Sequence, residues 1–505
     1  MKTNQLFLLF LLICVFTVQT MSQSSGDLDS TFGTNGSVIT AIGTGDDSGL
    51  SVVIQPDGKI IVAGYSFIGS GYDFALIRFN PDGSFDNTFS DDGIVTTEAG
   101  DKINSVVLQS DGKIIAAGVS YNGFNDDVTV IRYNANGSLD TSFSSDGIVR
   151  TDIAGYGDYG LSAAIQPDGK IVVAGRSNIG GNPDIVVVRY NPDGSLDNTF
   201  SSDGFVTTGT STNYIGFSMA LQLDGKIVVA GQADDGMYSD FAVARFNTDG
   251  SPDSTFSSDG IVSTIVSTTN DVAYSVAIQP DGKIVAAGIA ANGTFSSVTV
   301  IRYNTDGSLD LTFSGGIVTT ASEISSPVGY ALALQPDGKI VVAGTTSNGV
   351  DCDFTVFRYN PDGTLDNTFS ADGIASNPIC NFGEDVFAVA LQNDGNIVLV
   401  GSAWNGSNID LAIARFLGSS PNFVREPFPT ENVFIYPNPA SDKAFVNAPL
   451  NSCIEILDLQ GRILQKAHPV NTKATIDLTE INSGIYFVKV ISENKVSIIK
   501  IIKEY

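Results

Sequence analysis

Residues 166–175 read Gln-Pro-Asp-Gly-Lys-Ile-Val-Val-Ala-Gly, and variants of this stretch occur seven times in the chain. The aspartates of the motif Gln-x-Asp-Gly-Lys/Asn stand at Asp57, Asp111, Asp168, Asp224, Asp281, Asp337 and Asp394, at steps of 54 to 57 residues. The Asp-Gly pair marks a tight turn, with glycine where positive φ is needed. The run Lys170–Gly175 that follows is apolar at consecutive positions, as in a strand covered on both faces. In the second copy, Ile103–Gln109, Lys113–Ser120, Val128–Asn134 and Ile148–Thr151 read as four short strands separated by turn signals. Small four-stranded sheets apolar on both faces are covered by packing radially against one another, which predicts an all-β propeller. A β-solenoid is the rival, but its coils are usually shorter.

The phase of the repeat predicts a closed ring. A second motif, Leu/Phe/Pro-Asp-x-x-Phe, begins at Leu28, before the first Gln-x-Asp-Gly copy, and has no counterpart after the last. Leu28–Ile42 therefore reads as a lone fourth strand, and Val386–Phe416 as a blade of only three. Joining them gives seven blades closed by the N-terminal strand. An open array would carry polar caps at both ends instead.

These residues resemble the delta-60 repeat, a bacterial propeller-type repeat. The resemblance runs from Leu28 to Phe416 and implies a propeller on a secreted protein, without implying one activity. A second resemblance follows the pattern's end. Tyr436-Pro437-Asn438-Pro439-Ala440, Leu457-Asp458-Leu459-Gln460-Gly461-Arg462 and Ser483-Gly484-Ile485-Tyr486-Phe487-Val488 are similar to the type IX secretion C-terminal sorting domain. It implies a small β-sandwich read by an outer-membrane export machine, then cleavage in or near the linker, with anchoring or release. Expected strands there are Val433–Tyr436, Lys443–Asn447, Ile454–Asp458, Ile485–Ile491 and Ser497–Ile502.

The expected organisation is a signal peptide over 1–22, the propeller over 23–417, a proline-bearing linker over 418–432 and the sorting domain over 433–505. Lys2 and the apolar run Leu6–Val18 form the secretory leader, with cleavage near Ser22. No later stretch is long and apolar enough for a transmembrane helix. The net charge of −29 repels phosphate backbones and argues against nucleic acid as a partner. A monomer is expected, and no cofactor is implied.

Repetition separates scaffold from site, because a blade-building residue is needed in every blade. Arg78, Arg132, Arg189, Arg245, Arg302, Arg358 and Arg415 share one register within apolar strands. Their expected anionic partners are Asp29, Asp86, Asp140, Asp197, Asp253, Asp310 and Asp366. The acidic Asn-Pro-Asp-Gly turns lack the closing Glu of a calcium loop and read as ordinary turns. Four residues before the small residue of each first strand stand Asp47, Asp101, Asp158, Tyr214, Asp271, Pro327 and Glu384. The five acids read either as a channel-mouth ring suited to a cation such as Ca2+ or as solvated turn residues.

The loops between second and third strands vary most. Trp404, Phe67 and Tyr121 fall at one register in neighbouring blades, with Tyr72 and Phe124 close by. They read as an aromatic arc for a sugar ring or a surface protein, or as local loop packing. Cys352 and Cys380 flank adjacent strand ends and are the expected disulfide, with two buried free thiols as the alternative. The single histidine, His468, lies outside the propeller, so no histidine-dependent chemistry is expected there. A secreted binding or adhesion module is the leading reading. The alternatives are a carboxylate-dependent polysaccharide hydrolase or lyase and a structural surface component.

Overall fold

The computed structural model describes residues 23–419, apart from 99–101, 154, 210–211, 235, 292–294, 322–326 and 381, and parts of 434–503. The leader, most of the linker, Asp101, Pro437, Asn438, Pro439, Gly461 and His468 lie outside the described residues. Every described regular element is a strand. The chain divides into two compact units, Met1–Pro421 and Asn422–Tyr505.

The first unit holds seven four-stranded antiparallel sheets, a seven-bladed propeller. In six blades the strands lie in chain order. In the seventh, Ser37–Thr40 lies beside Ile409–Phe416, pairing Ser37 with Ala414 and Thr40 with Leu411. The ring is thus closed by the N-terminal strand. The first strand of each blade packs against its counterparts on both sides, and Asp47–Ile54 meets Glu384–Leu391 at the closure. First strands are therefore the innermost.

Each innermost strand carries a β-bulge, which accounts for the glycine at the end of residues 166–175 and its equivalents. Pairing skips Leu50, Asn104, Leu161, Phe217, Tyr274, Tyr330 and Phe387. The bulge brings the backbone so close that a Cβ at Gly175 would lie 1.8 Å from the Tyr159 carbonyl oxygen. The serine after the bulge links neighbouring blades. Ser51 Oγ accepts from Val106 N at 3.0 Å, and Ser105, Ser162, Ser218 and Ser275 repeat the bond.

The expected arginine pairs hold the opposite end of the ring together. Arg245 Nε donates to Asp253 Oδ2 at 2.7 Å, and its Nη1 reaches Thr305 O of the next blade at 2.7 Å. Its guanidinium lies 4.6 Å from the centre of the Phe256 ring. All seven arginines have this arrangement, including Arg415, whose partner Asp29 comes from the closing strand. In six blades the Gln-x-Asp-Gly lysine joins as a third member, as Lys226 does to Asp253 at 3.1 Å. Asn396 replaces it in the seventh. The motif's Phe is wholly buried in all seven copies, and in six it packs under the next blade's Asn-x-Asp/Asn-Gly turn. A Cβ on Gly307, at φ +86, would lie 3.1 Å from the Phe256 ring, so that glycine is required on two counts.

Burial of the clasp aspartates opposes their ionisation, but the hydroxyl, lysine and arginine around them outweigh it. Asp366 is held down to about 2, and Asp86, Asp140, Asp197, Asp253 and Asp310 lower still. A depressed carboxylate stabilises the fold fully above its unfolded value near ~4, and that contribution is lost as pH falls towards its folded value. Urea midpoints are therefore expected to drop steeply between about pH 4 and about pH 2. An unchanged midpoint across that window would contradict the clasp. Carboxyls that burial raises, such as Glu384, act oppositely and give stability back as pH falls through their folded values.

The second unit is a sandwich of a three-stranded sheet (Phe434–Tyr436, Lys443–Asn447, Lys473–Asp477) and a four-stranded one (Cys453–Leu457, Ile463–Ala467, Gly484–Ser492, Lys495–Lys503). Ala444, Val446, Ile456, Ile476, Val488 and Ile501 form its core. Ile463–Ala467 and Lys473–Asp477 are strands beyond the five expected. Gly484 opens one strand, Tyr486 lies half-buried in it, and Tyr436 ends another.

Candidate functional site

Alternation of strand direction sorts the loops onto two faces. The Gln-x-Asp-Gly turns and arginine clasps lie on one. The second-to-third-strand loops and the crossings into the next blade lie on the other. Among the described residues, exposed aromatics form two groups on this second face, with Tyr238 and Phe295 singly exposed on the loops of the fourth and fifth blades. On the second and third blades, Tyr121, Phe124 and Tyr156 are exposed, Phe124 at 93 %. Asn125 ties their loops together, its Nδ2 donating to Tyr156 O at 2.7 Å. On the sixth and seventh blades, Trp404 and Phe382 are exposed, and Trp404 N donates to Gly383 O at 3.0 Å.

The expected arc of five aromatics is therefore redistributed. Phe67 and Tyr72 are half-buried against each other, ring centres 5.3 Å apart, with Phe67 also covering Gly45. They are cross-strand partners within one blade, so packing consumes their surface. Tyr121, Phe124 and Trp404 remain available, and Tyr156 and Phe382 join them. These last two sit in crossing loops, whose proximity to the rim depends on how neighbouring blades pack.

The acidic register is not an open ring. Asp47, Asp158 and Asp271 are wholly buried and Glu384 nearly so. Each carboxylate closes the crossing loop before it. Asp47 Oδ2 accepts from Ile42 N at 2.7 Å, Asp158 Oδ2 from Ile153 N at 2.7 Å, and Asp271 Oδ2 from Val266 N at 2.9 Å and Ser267 N at 2.8 Å. Glu384 Oε1 accepts from Ile379 N and Cys380 N. Backbone amides use these acids, so they are neither solvated nor presented to a channel. Burial raises Asp158 and Glu384 above the usual carboxylate range, although the amide bonds pull the other way. At the junction where Pro327 replaces the acid, a cleft of about 390 Å³ opens, lined by Thr320, Thr346, Asn348, Asp353 and Ser376.

Cys352 and Cys380 are free thiols, as is Cys453, so the expected disulfide is not formed. The fourth strand's pairing ends at Asn377, opposite Phe354. The chain then turns to close on Glu384, where the Cys380 thiol exchanges contacts with Phe382 N and O. Burial pushes the Cys380 thiol up to about 11 and raises Cys352, which keeps both protonated at neutral pH.

The innermost strands hold a feature not anticipated from the sequence. The bulge residues Phe217, Tyr274, Tyr330 and Phe387 form a continuous aromatic arc around the axis, with successive ring centres 5.3–5.7 Å apart. Leu50, Asn104 and Leu161 complete that register. Burial pushes the Tyr330 hydroxyl up to about 12. The signal was available, since these residues immediately precede the small residue of each first strand. The bulge turns that position towards the axis, and alternation alone does not predict it.

Residues 55–89, 109–143, 166–200, 222–256, 279–313, 335–369 and 392–419 match DUF5122, a domain of unknown function described as a β-propeller. Residues 434–504 match a secretion system C-terminal sorting domain. Among solved structures, the chain is similar to PorZ, a surface component of the type IX secretion system of Porphyromonas gingivalis. The identity is 13 %, covering 93 % of this chain and 61 % of PorZ, with a TM-score of 0.38. It spans about three fifths of PorZ's length. It is also similar to virginiamycin B lyase from Staphylococcus aureus (13 % identity, 75 % of this chain, 98 % of that one, TM-score 0.37). Sqt1 of Chaetomium thermophilum is a third (13 % identity, 75 % and 98 %, TM-score 0.44). No curated protein matches the chain by sequence.

Proposed function

From a chain that belongs to the DUF5122 β-propeller repeats and ends in a type IX secretion C-terminal sorting domain, we infer a non-enzymatic binding module displayed on the cell surface or released from it. The sorting domain directs the chain to the surface or beyond, and the export machinery is its first partner. Cleavage within 418–432 then frees a propeller that acts as a monomer.

The observation that carries the binding role is the concentration of exposed aromatics on one face, Tyr121, Phe124 and Tyr156 on one side and Trp404 and Phe382 on the other. Exposed rings on a rigid scaffold favour flat apolar ligand faces, such as those of sugars, at small entropic cost. The opposite face is occupied by clasps that every blade needs. Carboxylate chemistry is less favoured, because the paired acids at the blade junctions are buried and engaged by backbone amides. A glycosidic oxygen needs an acid within hydrogen-bond reach.

A glycan array probed with the full chain from Gln23 tests this reading. A hit is expected to change the fluorescence of Trp404, the only tryptophan, and to be lost in Trp404→Ala, or to be lost in Tyr121→Ala with Phe124→Ala. Either loss is expected to weaken binding by at least about tenfold. Binding unaffected by both sets of changes would remove the aromatic face from the account. Release of shortened glycan would favour the hydrolase or lyase.

A further inference from the structure

We propose that Asp127, Asp152 and Asp158 form a binding site for a hard divalent cation of the calcium type at the junction of the second and third blades. Their carboxylate oxygens all lie within 4.8 Å of one another. Oxygens bonded at ~2.4 Å to one Ca2+ can be separated by up to about that distance. The all-oxygen donor set suits a hard cation.

A second observation points to a missing ligand. Asp127 is 5 % exposed, and its Oδ1 is buried without a hydrogen-bond partner, as are the Oδ1 atoms of its register equivalents Asp353 and Asp410, so what sets this junction apart is the third carboxylate beside that oxygen. Its other oxygen, Oδ2, accepts from Asn122 Nδ2 at 2.9 Å. Asp158 is wholly buried, with Ile153 N on Oδ2 and the Ser177 hydroxyl on Oδ1. Asp152 is exposed and accepts from Gly155 N at 2.6 Å through Oδ1. Among the described residues, none of the three is paired with a lysine or arginine. Burial first, then Asp152 and Asp127, raises Asp158 above the usual carboxylate range. A buried oxygen with no donor costs stability, and three neighbouring carboxylates add like-charge repulsion. One cation relieves both.

The repeat identifies the added element. Asp47, Asp158, Asp271 and Glu384 each close a crossing loop through the amide five residues before them. The residue just before that amide is Ala41, Asp152, Ile265 and Pro378 respectively. Two carboxylates at a junction are scaffold, since Asp410 with Asp47 and Asp353 with Glu384 repeat the pair by register. The third carboxylate, Asp152, is found at one junction of these four. The cation would tie the loop carrying Asn122 and Asn125 to the loop carrying Tyr156. Its existence does not depend on whether that face binds a ligand.

Calorimetric titration of Ca2+ into the chelator-treated full chain tests the site, with the thermal midpoint recorded with and without Ca2+. One saturable site is expected, with Kd in the range of extracellular modules, about 10⁻⁴–10⁻³ M, and a raised midpoint. Asp152→Asn removes only an exposed charge, and its amide oxygen still accepts from Gly155. It is expected to weaken Ca2+ binding by at least about tenfold and to abolish the midpoint shift. Ala41→Asp places a third carboxylate beside Asp47 and Asp410, at an exposed position, and is expected to raise the stoichiometry from one to two. The proposal is overturned if the parent chain shows no saturable binding or if Asp152→Asn binds as the parent does. It is equally overturned if Asp152→Asn raises the midpoint while Ca2+ leaves the parent unchanged, since a shared proton would then be what relieves the charge.

Discussion

A chain that begins at Asp46 is expected to lose the propeller's cooperative melting transition and to self-associate. The missing segment supplies Ser37–Thr40, the outer strand of the seventh blade. Without it the strand Ile409–Phe416 becomes an open edge with unpaired amides and carbonyls, a template for joining another chain. Arg415 loses Asp29, the Thr31 hydroxyl and the Phe32 ring together. Ser25 and Gly26, which bond Ser370 and Leu417 through the backbone, go with them. A guanidinium left buried without its anion costs about 3–5 kcal/mol, comparable to much of a domain's net stability. Circular dichroism melting and size-exclusion chromatography read both consequences. A peptide covering residues 23–45 is expected to restore a monomeric species when added in trans. A truncated chain that stays monomeric and melts at the parent temperature would mean that the ring does not depend on its closing strand.

The second large effect is expected from Asp253→Ala. This one carboxylate receives Arg245 at 2.7 Å and Lys226 at 3.1 Å, both on Oδ2, while Oδ1 receives the Thr255 hydroxyl at 2.7 Å. Its removal leaves two cations facing a space with 4 % side-chain exposure, at an expected cost of about 3–5 kcal/mol in urea denaturation. Asp29→Ala is expected to cost less, because Asn396 stands where the other blades have lysine and only Arg415 loses its partner. The double change Arg245→Met with Asp253→Leu is expected to recover part of the loss by replacing charge with packed hydrocarbon. Equal costs for Asp253→Ala and Asp29→Ala would show that the lysine contributes nothing to the clasp.

Both effects concern features that the amino-acid sequence determines by itself. Blade count, strand order, closure by the first strand and the seven arginine–aspartate pairs all follow from residues recurring at one register. Recurrence carries this information because each blade solves the same packing problem, so a residue needed for it must appear seven times. The sorting domain is legible in the same way, since its motifs are local and ordered along the chain.

Tertiary structure decided what covers each side chain. Register places Phe67, Tyr121 and Trp404 at equivalent loop positions, yet Phe67 is packed by Tyr72 while the other two stay exposed. Register likewise groups Asp47, Asp158, Asp271 and Glu384, but only the folded crossing loops bring amides onto their oxygens and bury them. The bulge turns Phe217, Tyr274, Tyr330 and Phe387 to the axis, and the crossing loop beyond Asn377 sets the Cys380 thiol against the Phe382 backbone, with Cys352 a free thiol. A one-dimensional pattern fixes where along a strand a residue lies. Its burial, its partners and its charge state depend on how the loops fold and what they pack against, and the loops vary where the repeat does not.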